Sequence, residues 1–323
     1  MLLEALDLAA QGRLRDVQHR GGAAEVGVLR NDREVADKPH IEVRSGNAHA
    51  FERTDMQCVH DGLQVRSWTL SRVRDLNRDM GKFDRKRALV TGGSNGIGLS
   101  IARLLAADGA RVMVTGRNAA ALETASKEGL IAVRSDATAT ADIDALAGKV
   151  EETFGQLDAV FLNAGIPDNT SFEATTEQTY DAIFATNTKG PYFTLQRLLP
   201  LLAEGSGVVL TTSVADELGL PDHSVYSASK AALRSMARTW ARELLPRGVR
   251  VNAVSPGPID TGILHKNLPA EVADEMVAGF AAQIPMLRIG TPEEVARAAI
   301  FLAFDATYTT GAELTVDGGG TQL

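Results

Sequence analysis

An apolar run, Arg87-Ala88-Leu89-Val90, leads directly into Thr91-Gly92-Gly93-Ser94-Asn95-Gly96-Ile97-Gly98 and then into a helical pattern from Ile97 to Ala107. Strand, glycine turn and helix in that order open a βαβ unit whose helix N-terminus is suited to a phosphate. Gly92 permits the sharp turn, Gly96 lets backbone approach a pyrophosphate, and Gly98 lets helix and strand pack. Ser94, Asn95 and Ile97 complete the expected cradle; the bland alternative is an ordinary βα turn. No Gly-Lys-Ser/Thr ending follows, which disfavours a P-loop nucleotide hydrolase.

The alternation continues to the C-terminus. Apolar strand candidates are 88–90, 112–115, 132–134, 159–162, 207–212, 250–254 and 313–316. Helical patterns fall at 97–107, 119–127, 139–153, 177–202, 225–245 and 292–303. Right-handed crossovers turn this order into an α/β fold, a doubly wound parallel seven-stranded sheet with helices on both faces. Ligands then belong at the carboxyl ends of the strands. Residues 257–291 interrupt the alternation with a short apolar helix around Val272 to Ala282, and are read as a substrate lid.

Before Met80 the chain has a different character. Residues 1–79 carry eleven arginines against the single Lys38, four of the six histidines, and no sustained periodicity. They are expected to be a poorly structured extension, with a start assigned too early as the leading explanation and a targeting peptide or regulatory arm as competitors. Glu4 and Asp7 argue against a mitochondrial presequence, and no apolar core with a small-residue cleavage site points to secretion.

Bulk properties exclude several classes. With 44% hydrophobic residues in 323, the chain can bury one large core. A formal net charge of −8 without a long basic run disfavours nucleic acid. No apolar stretch approaches the roughly 20 residues that cross a bilayer, so no membrane partner is expected. Cys58 is the only cysteine and cannot form an internal disulfide, which makes a cytoplasmic location the default.

The second strand ends Val114-Thr115-Gly116-Arg117-Asn118. Dinucleotide folds often place a carboxylate there, which binds a ribose and repels a 2′-phosphate. Gly116 removes that carboxylate and Arg117 offers a planar cation, so NADP is preferred while NAD stays possible. The competing reading of Arg117 is a solvated first-turn residue. Asp136, after the third strand, is placed either to reach an adenine amino group or to cap the next helix.

Tyr226 and Lys230 stand four residues apart at the start of a helix and so share one face. A phenol with an ordinary pKa of about 10 becomes a usable proton donor and acceptor if a neighbouring ammonium and the positive nicotinamide ring both favour its anion. Ser213, just past the fifth strand, is positioned to hold a substrate oxygen, and Asn187 is placed to anchor a water that links Lys230 to solvent. The rival reading is a helix-surface Tyr/Lys pair. Ser213 lies outside any Gly-x-Ser-x-Gly elbow, against a hydrolase. His223 and His265 lack companions with metal-ligand spacing, so no metal is expected; His223 fits the substrate mouth or plain surface.

Thr91-Gly92-x-x-x-Gly96-x-Gly98, Asn163-Ala164-Gly165, Asn187, Ser213, Tyr226-x-x-x-Lys230 and Pro256-Gly257 resemble, in order and spacing, the short-chain dehydrogenase/reductase family over residues 80–323. The resemblance implies a single Rossmann domain, usually a homotetramer, with Asn187, Ser213, Tyr226 and Lys230 as the catalytic set. It implies adenine contacts near Asp136 and Ala137, with the backbone of Asn163, Ala164 and Gly165 beside the adenosine ribose. Lys230 would hold the nicotinamide ribose, and Ile259 and Thr261 would meet the carboxamide and phosphate region. The expected substrate is a small carbonyl compound or alcohol. A 3-oxoacyl thioester reductase and a sugar dehydrogenase remain open, as does a dinucleotide-binding sensor that has lost turnover.

Overall fold

In a computed structural model of the chain, residues 81–323 are described, save the side chain of Asn267, and of residues 1–80 only seven short strands. The chain divides into two units, Met1–Met80 and Gly81–Leu323. In the first, Val17–Arg20 pairs antiparallel with Ala23–Val26, and Asp55–Gln57 pairs with both Glu42–Val43 and Trp68–Thr69. The expectation of a poorly structured extension over residues 1–79 otherwise lies outside the described residues.

In the second unit all seven expected strands form. They are β1 (Arg87–Thr91), β2 (Arg111–Gly116), β3 (Ile131–Arg134), β4 (Leu157–Leu162), β5 (Leu202–Thr211), β6 (Arg250–Pro256) and β7 (Glu313–Val316). Every pairing is parallel and the order is β3-β2-β1-β4-β5-β6-β7. The chain steps outward from β1 to β3 and then returns to place β4 beside β1. Such a reversal opens a crevice at the carboxyl ends of the two strands, where a ligand fits.

The strands are apolar on both faces because helices cover both. Alternate side chains divide accordingly. Leu89, Val160, Leu162, Val208, Leu210 and Val251 enter one core, beneath α3 (Thr140–Phe154), α5 (Gly190–Leu198) and α6 (Ser224–Leu244). Ala88, Val90, Ala159, Phe161, Val209 and Val254 enter the other, beneath α1 (Gly96–Ala107), α2 (Ala119–Lys127) and α9 (Pro292–Ile300).

One helical expectation is corrected. The pattern over 177–202 is not a single helix: α4 (Glu177–Phe184) passes through a π-turn at Ala185–Lys189 into α5, and Leu202 already belongs to β5. The interruption over 257–291 holds α7 (Ile263–Asn267) and α8 (Ala270–Gln283) at the carboxyl end of the sheet.

Candidate active site

The crevice between β1 and β4 is welded by side chains. Asn163 Nδ2 donates to the carbonyls of Thr91 and Gly92 at 3.3 and 3.2 Å, and Thr211 Oγ1 donates to Asn163 Oδ1 at 3.2 Å. Thr91 Oγ1 accepts from the N–H groups of Asn163 and Ala164. Gly92 has φ +63°, and a Cβ there would stand 2.8 Å from the Ala164 Cα, so the turn admits only glycine. Asn95 is the N-cap of α1 and makes no side-chain cap, which leaves the first amides of the helix at Gly96, Ile97 and Gly98 open to a ligand.

The adenine-side residues gather at the neighbouring strand ends. A Cβ on Gly116 would lie 2.6 Å from Ser94 Oγ, so the end of β2 abuts the glycine turn and a side chain there would require Ser94 to turn away. Arg117 is exposed beside it. Asp136 Oδ1 accepts from Thr138 N and Oγ1 at 2.9 and 2.8 Å. The Thr138 backbone bond leads in holding the Asp136 carboxyl below its ordinary range, with the Arg117 charge assisting. The N-cap of α3 is Ala139, so Asp136 shapes the turn before the helix rather than capping it. Ala137 packs against Gly190 at the start of α5. β6 ends at Pro256, and Gly257 runs on into Ile259 and Thr261, whose methyl closes on Gly96.

The four expected catalytic residues come from three elements and converge. Ser213 follows β5, Tyr226 and Lys230 occupy the first two turns of α6, and Asn187 sits in the π-turn. Lys230 Nζ donates to the Thr211 carbonyl at 2.8 Å and stands 5.7 Å from the centre of the Tyr226 ring. Burial pulls the Lys230 ammonium down to about 8. Burial also pushes the Tyr226 phenol up, against a hydrogen bond from Ser213 that pulls the other way. The ammonium is aimed at Thr211, and burial leads among the influences on the phenol. Asn187 is wholly buried: Oδ1 and Nδ2 take the N–H and C=O of Ile166, and Nδ2 also reaches Ser229 Oγ.

Ser213 and Tyr226 open onto a cleft of about 510 Å³ walled by Leu218, Leu220, Ile263, Leu264, Phe280 and Ile289. His223 lies at its edge, Nδ1 2.6 Å from the Pro221 carbonyl. His265 pairs with Asp274 on the surface.

Residues 92–321 match the family model described as enoyl-(acyl carrier protein) reductase. Oxidoreductase asL5 of Sarocladium schorii is 40% identical over 74% of this chain and 96% of its own. The chain belongs to the short-chain dehydrogenase/reductase family. It is thus an oxidoreductase enzyme built to bind a nicotinamide dinucleotide. The 3-oxoacyl-[acyl-carrier-protein] reductase MabA of Mycobacterium bovis is 37% identical over 73% of this chain and 93% of its own. An NADPH-bound short chain oxidoreductase of Pseudomonas aeruginosa, whose catalytic center is called atypical, aligns with a TM-score of 0.70. It is 29% identical over 75% of this chain and 99% of that one.

Sequence reading of this family member missed Thr211, which receives Lys230 through its carbonyl, and Ser229, which ties Asn187 to the Tyr226 carbonyl. A backbone acceptor leaves no sequence signal. Ser229 did leave one, since it stands three residues after Tyr226 on a helix face already singled out.

Proposed function

We propose that the enzyme interconverts a ketone and a secondary alcohol with NADP(H), Tyr226 Oη giving or taking the proton on the substrate oxygen. The observation that carries this reading is the convergence of Ser213, Tyr226 and Lys230 at one end of an apolar cleft. Ser213 Oγ holds the substrate oxygen against the phenol. Lys230, cationic below about 8, keeps a positive charge near the phenol and returns protons toward it. Asn187 fixes the backbone at Ile166 beside this group.

The dinucleotide fits the residues present, because uncapped helix amides follow a turn that has no space for side chains. Gly92, Ser94, Asn95, Gly96, Ile97 and Gly98 would hold its pyrophosphate, Arg117 a 2′-phosphate, and Asp136 and Ala137 the adenine. Asn163, Ala164 and Gly165 would line the adenosine ribose. Tyr226 and Lys230 would meet the nicotinamide ribose, and Pro256, Gly257, Ile259 and Thr261 the carboxamide side. When bound, it supplies or accepts the hydride.

The cleft wall favours an apolar ketone or a 3-oxoacyl thioester over a sugar, since Leu218, Leu264, Phe280 and Ile289 offer a polyol no hydrogen bonds. We further read the enzyme as a cytoplasmic homotetramer, and residues 1–79 as an upstream extension. No helix among the described residues is long and apolar enough to cross a membrane.

The deciding experiment follows oxidation of NADPH and NADH by the full chain over ketones, sugars and acyl thioesters. Consumption of NADPH with apolar carbonyls is expected, and no consumption with any carbonyl would overturn the reading. Arg117→Asp should reverse the cofactor preference; an unchanged preference removes Arg117 from the cofactor site.

A further inference from the structure

Behind the cleft wall, and outside its lining, Asp216 stands three residues past Ser213 on the short turn Val214–Asp216. Both of its carboxyl oxygens are shut off from solvent, and neither accepts a hydrogen bond from any described residue. A carboxylate in that condition has lost its water and gained nothing in return. Oxygens of Asp216, Glu217 and Glu313 all lie within 4.8 Å of one another. Glu313, on β7, is fixed from two sides: Arg234 Nε donates to Oε2 and Thr212 Oγ1 to Oε1, each at 2.6 Å. Its side chain is 6% exposed. Asp216, Glu217 and Glu313 set three carboxylates against two cations, Arg234 and Lys230, an excess of one negative charge that a single proton removes.

We propose that Asp216 and Glu313 share one proton, Asp216 donating its O–H to the Glu313 carboxylate, and that the pair is a positioning element setting the charge beside Tyr226 and Lys230. The inference rests on reading Tyr226 and Lys230 as the proton-handling residues. The charged and titratable groups facing Asp216 are Glu217 on its own turn, Glu313 on β7, and Arg234, Tyr226 and Lys230 on α6. Burial pushes the Asp216 carboxyl up to about 7, with Glu313 and Glu217 adding to the rise and Arg234 opposing it. Once Asp216 loses its proton to solvent, its charge raises both the Tyr226 phenol and the Lys230 ammonium. The pair therefore holds the two catalytic groups in their protonated forms more firmly as pH climbs past about 7.

Two spectroscopic titrations of the full chain test this without turnover. Infrared difference spectra should show a protonated carboxyl band that disappears through about pH 7, is missing in Asp216→Asn, and disappears at lower pH in Glu313→Gln. Phenolate absorbance assigned to Tyr226, by difference from Tyr226→Phe, should titrate about half a unit or more lower in Asp216→Asn, roughly threefold in the phenolate ratio. If the enzyme turns over, the pH profile of alcohol oxidation should move the same way. No Asp216-dependent carboxyl band, or superimposable phenolate titrations, overturns the inference. Both titrations as expected in a protein without turnover would instead fail the functional reading and leave the proton-sharing pair standing.

Discussion

Asn187 closes its amide on both polar backbone groups of Ile166, Oδ1 accepting from the N–H at 2.8 Å and Nδ2 donating to the carbonyl at 3.0 Å. The π-turn at Ala185–Lys189 aims that amide by widening the helix at this one place. Asn187→Ala strands two part-buried groups, a loss toward the lower end of about 1–3 kcal/mol. For a domain of this size that lowers Tm by roughly 2–4 °C per kcal/mol. Turnover should fall with it, because Ile166 follows Gly165, which sits against Lys230. Calorimetry and steady-state kinetics on the variant decide; a wild-type melting curve would show that the clamp contributes nothing.

Tyr226→Phe removes one oxygen and keeps the ring that faces His223 edge-on at 6.3 Å. Loss of the proton donor should cut kcat by about 10²–10⁴-fold. Dinucleotide affinity, read by fluorescence titration, should fall far less than kcat, because the variant loses one hydroxyl at the nicotinamide ribose and keeps every other contact. Residual turnover near the wild-type rate would transfer the proton role to another group.

Lys230 supplies a pH dependence whose sign is fixed by burial. Its folded pKa of about 8 lies below the ordinary lysine value. The native state is therefore penalised where the amine is charged in both states, below about 8. The penalty is relieved as pH rises from there toward the unfolded value of about 10.4. Catalysis runs the opposite way, since the positive charge near Tyr226 disappears over the same interval. Carbonyl reduction should decline above about pH 8, and Lys230→Arg, which stays charged, should lack that decline while binding the dinucleotide less well. A wild-type profile flat through this range would separate Lys230 from the proton path.

The sheet and its ligand end were legible in the sequence because most strands are short apolar runs and the turns after β1, β2, β4 and β6 carry a glycine or asparagine. Gly92, Asn163, Ser213 and Tyr226 all mark strand ends or helix starts, and the fold brings them to one edge. What stayed hidden depends on register or on long-range approach. Leu202 pairs with Leu157, but the register then jumps to Gly207 opposite Ala159, with Gly205 at φ +79° absorbing the excess. That bulge masks the true start of β5, and the π-turn within 177–198 keeps a helical pattern while changing where Asn187 points. Asp216 and Glu313 are distant in sequence, and no periodicity announces that they meet. Proximity of Tyr226 to Lys230 is readable from an i,i+4 spacing, whereas burial of the phenol and the aim of the ammonium at Thr211 are not.

Gly165 tests how tightly the site is built. A Cβ there would stand 3.3 Å from Asn187 Oδ1, tighter than ordinary contact, and 3.4 Å from Lys230 Nζ, at its lower limit. Neither neighbour can retreat freely, since Asn187 is held by Ile166 and Ser229, and Lys230 by the Thr211 carbonyl. Gly165→Ala should therefore displace the ammonium from its acceptor while leaving the sheet intact. The expected result is a loss of kcat by about tenfold or more, equivalent to at least 1.4 kcal/mol of transition-state stabilisation. Tm should move far less than in Asn187→Ala, because no buried polar group loses both of its bonds. Kinetics and melting measured side by side distinguish the two variants; equal losses of stability in both would mean that Gly165 serves the fold and not the placement of Lys230.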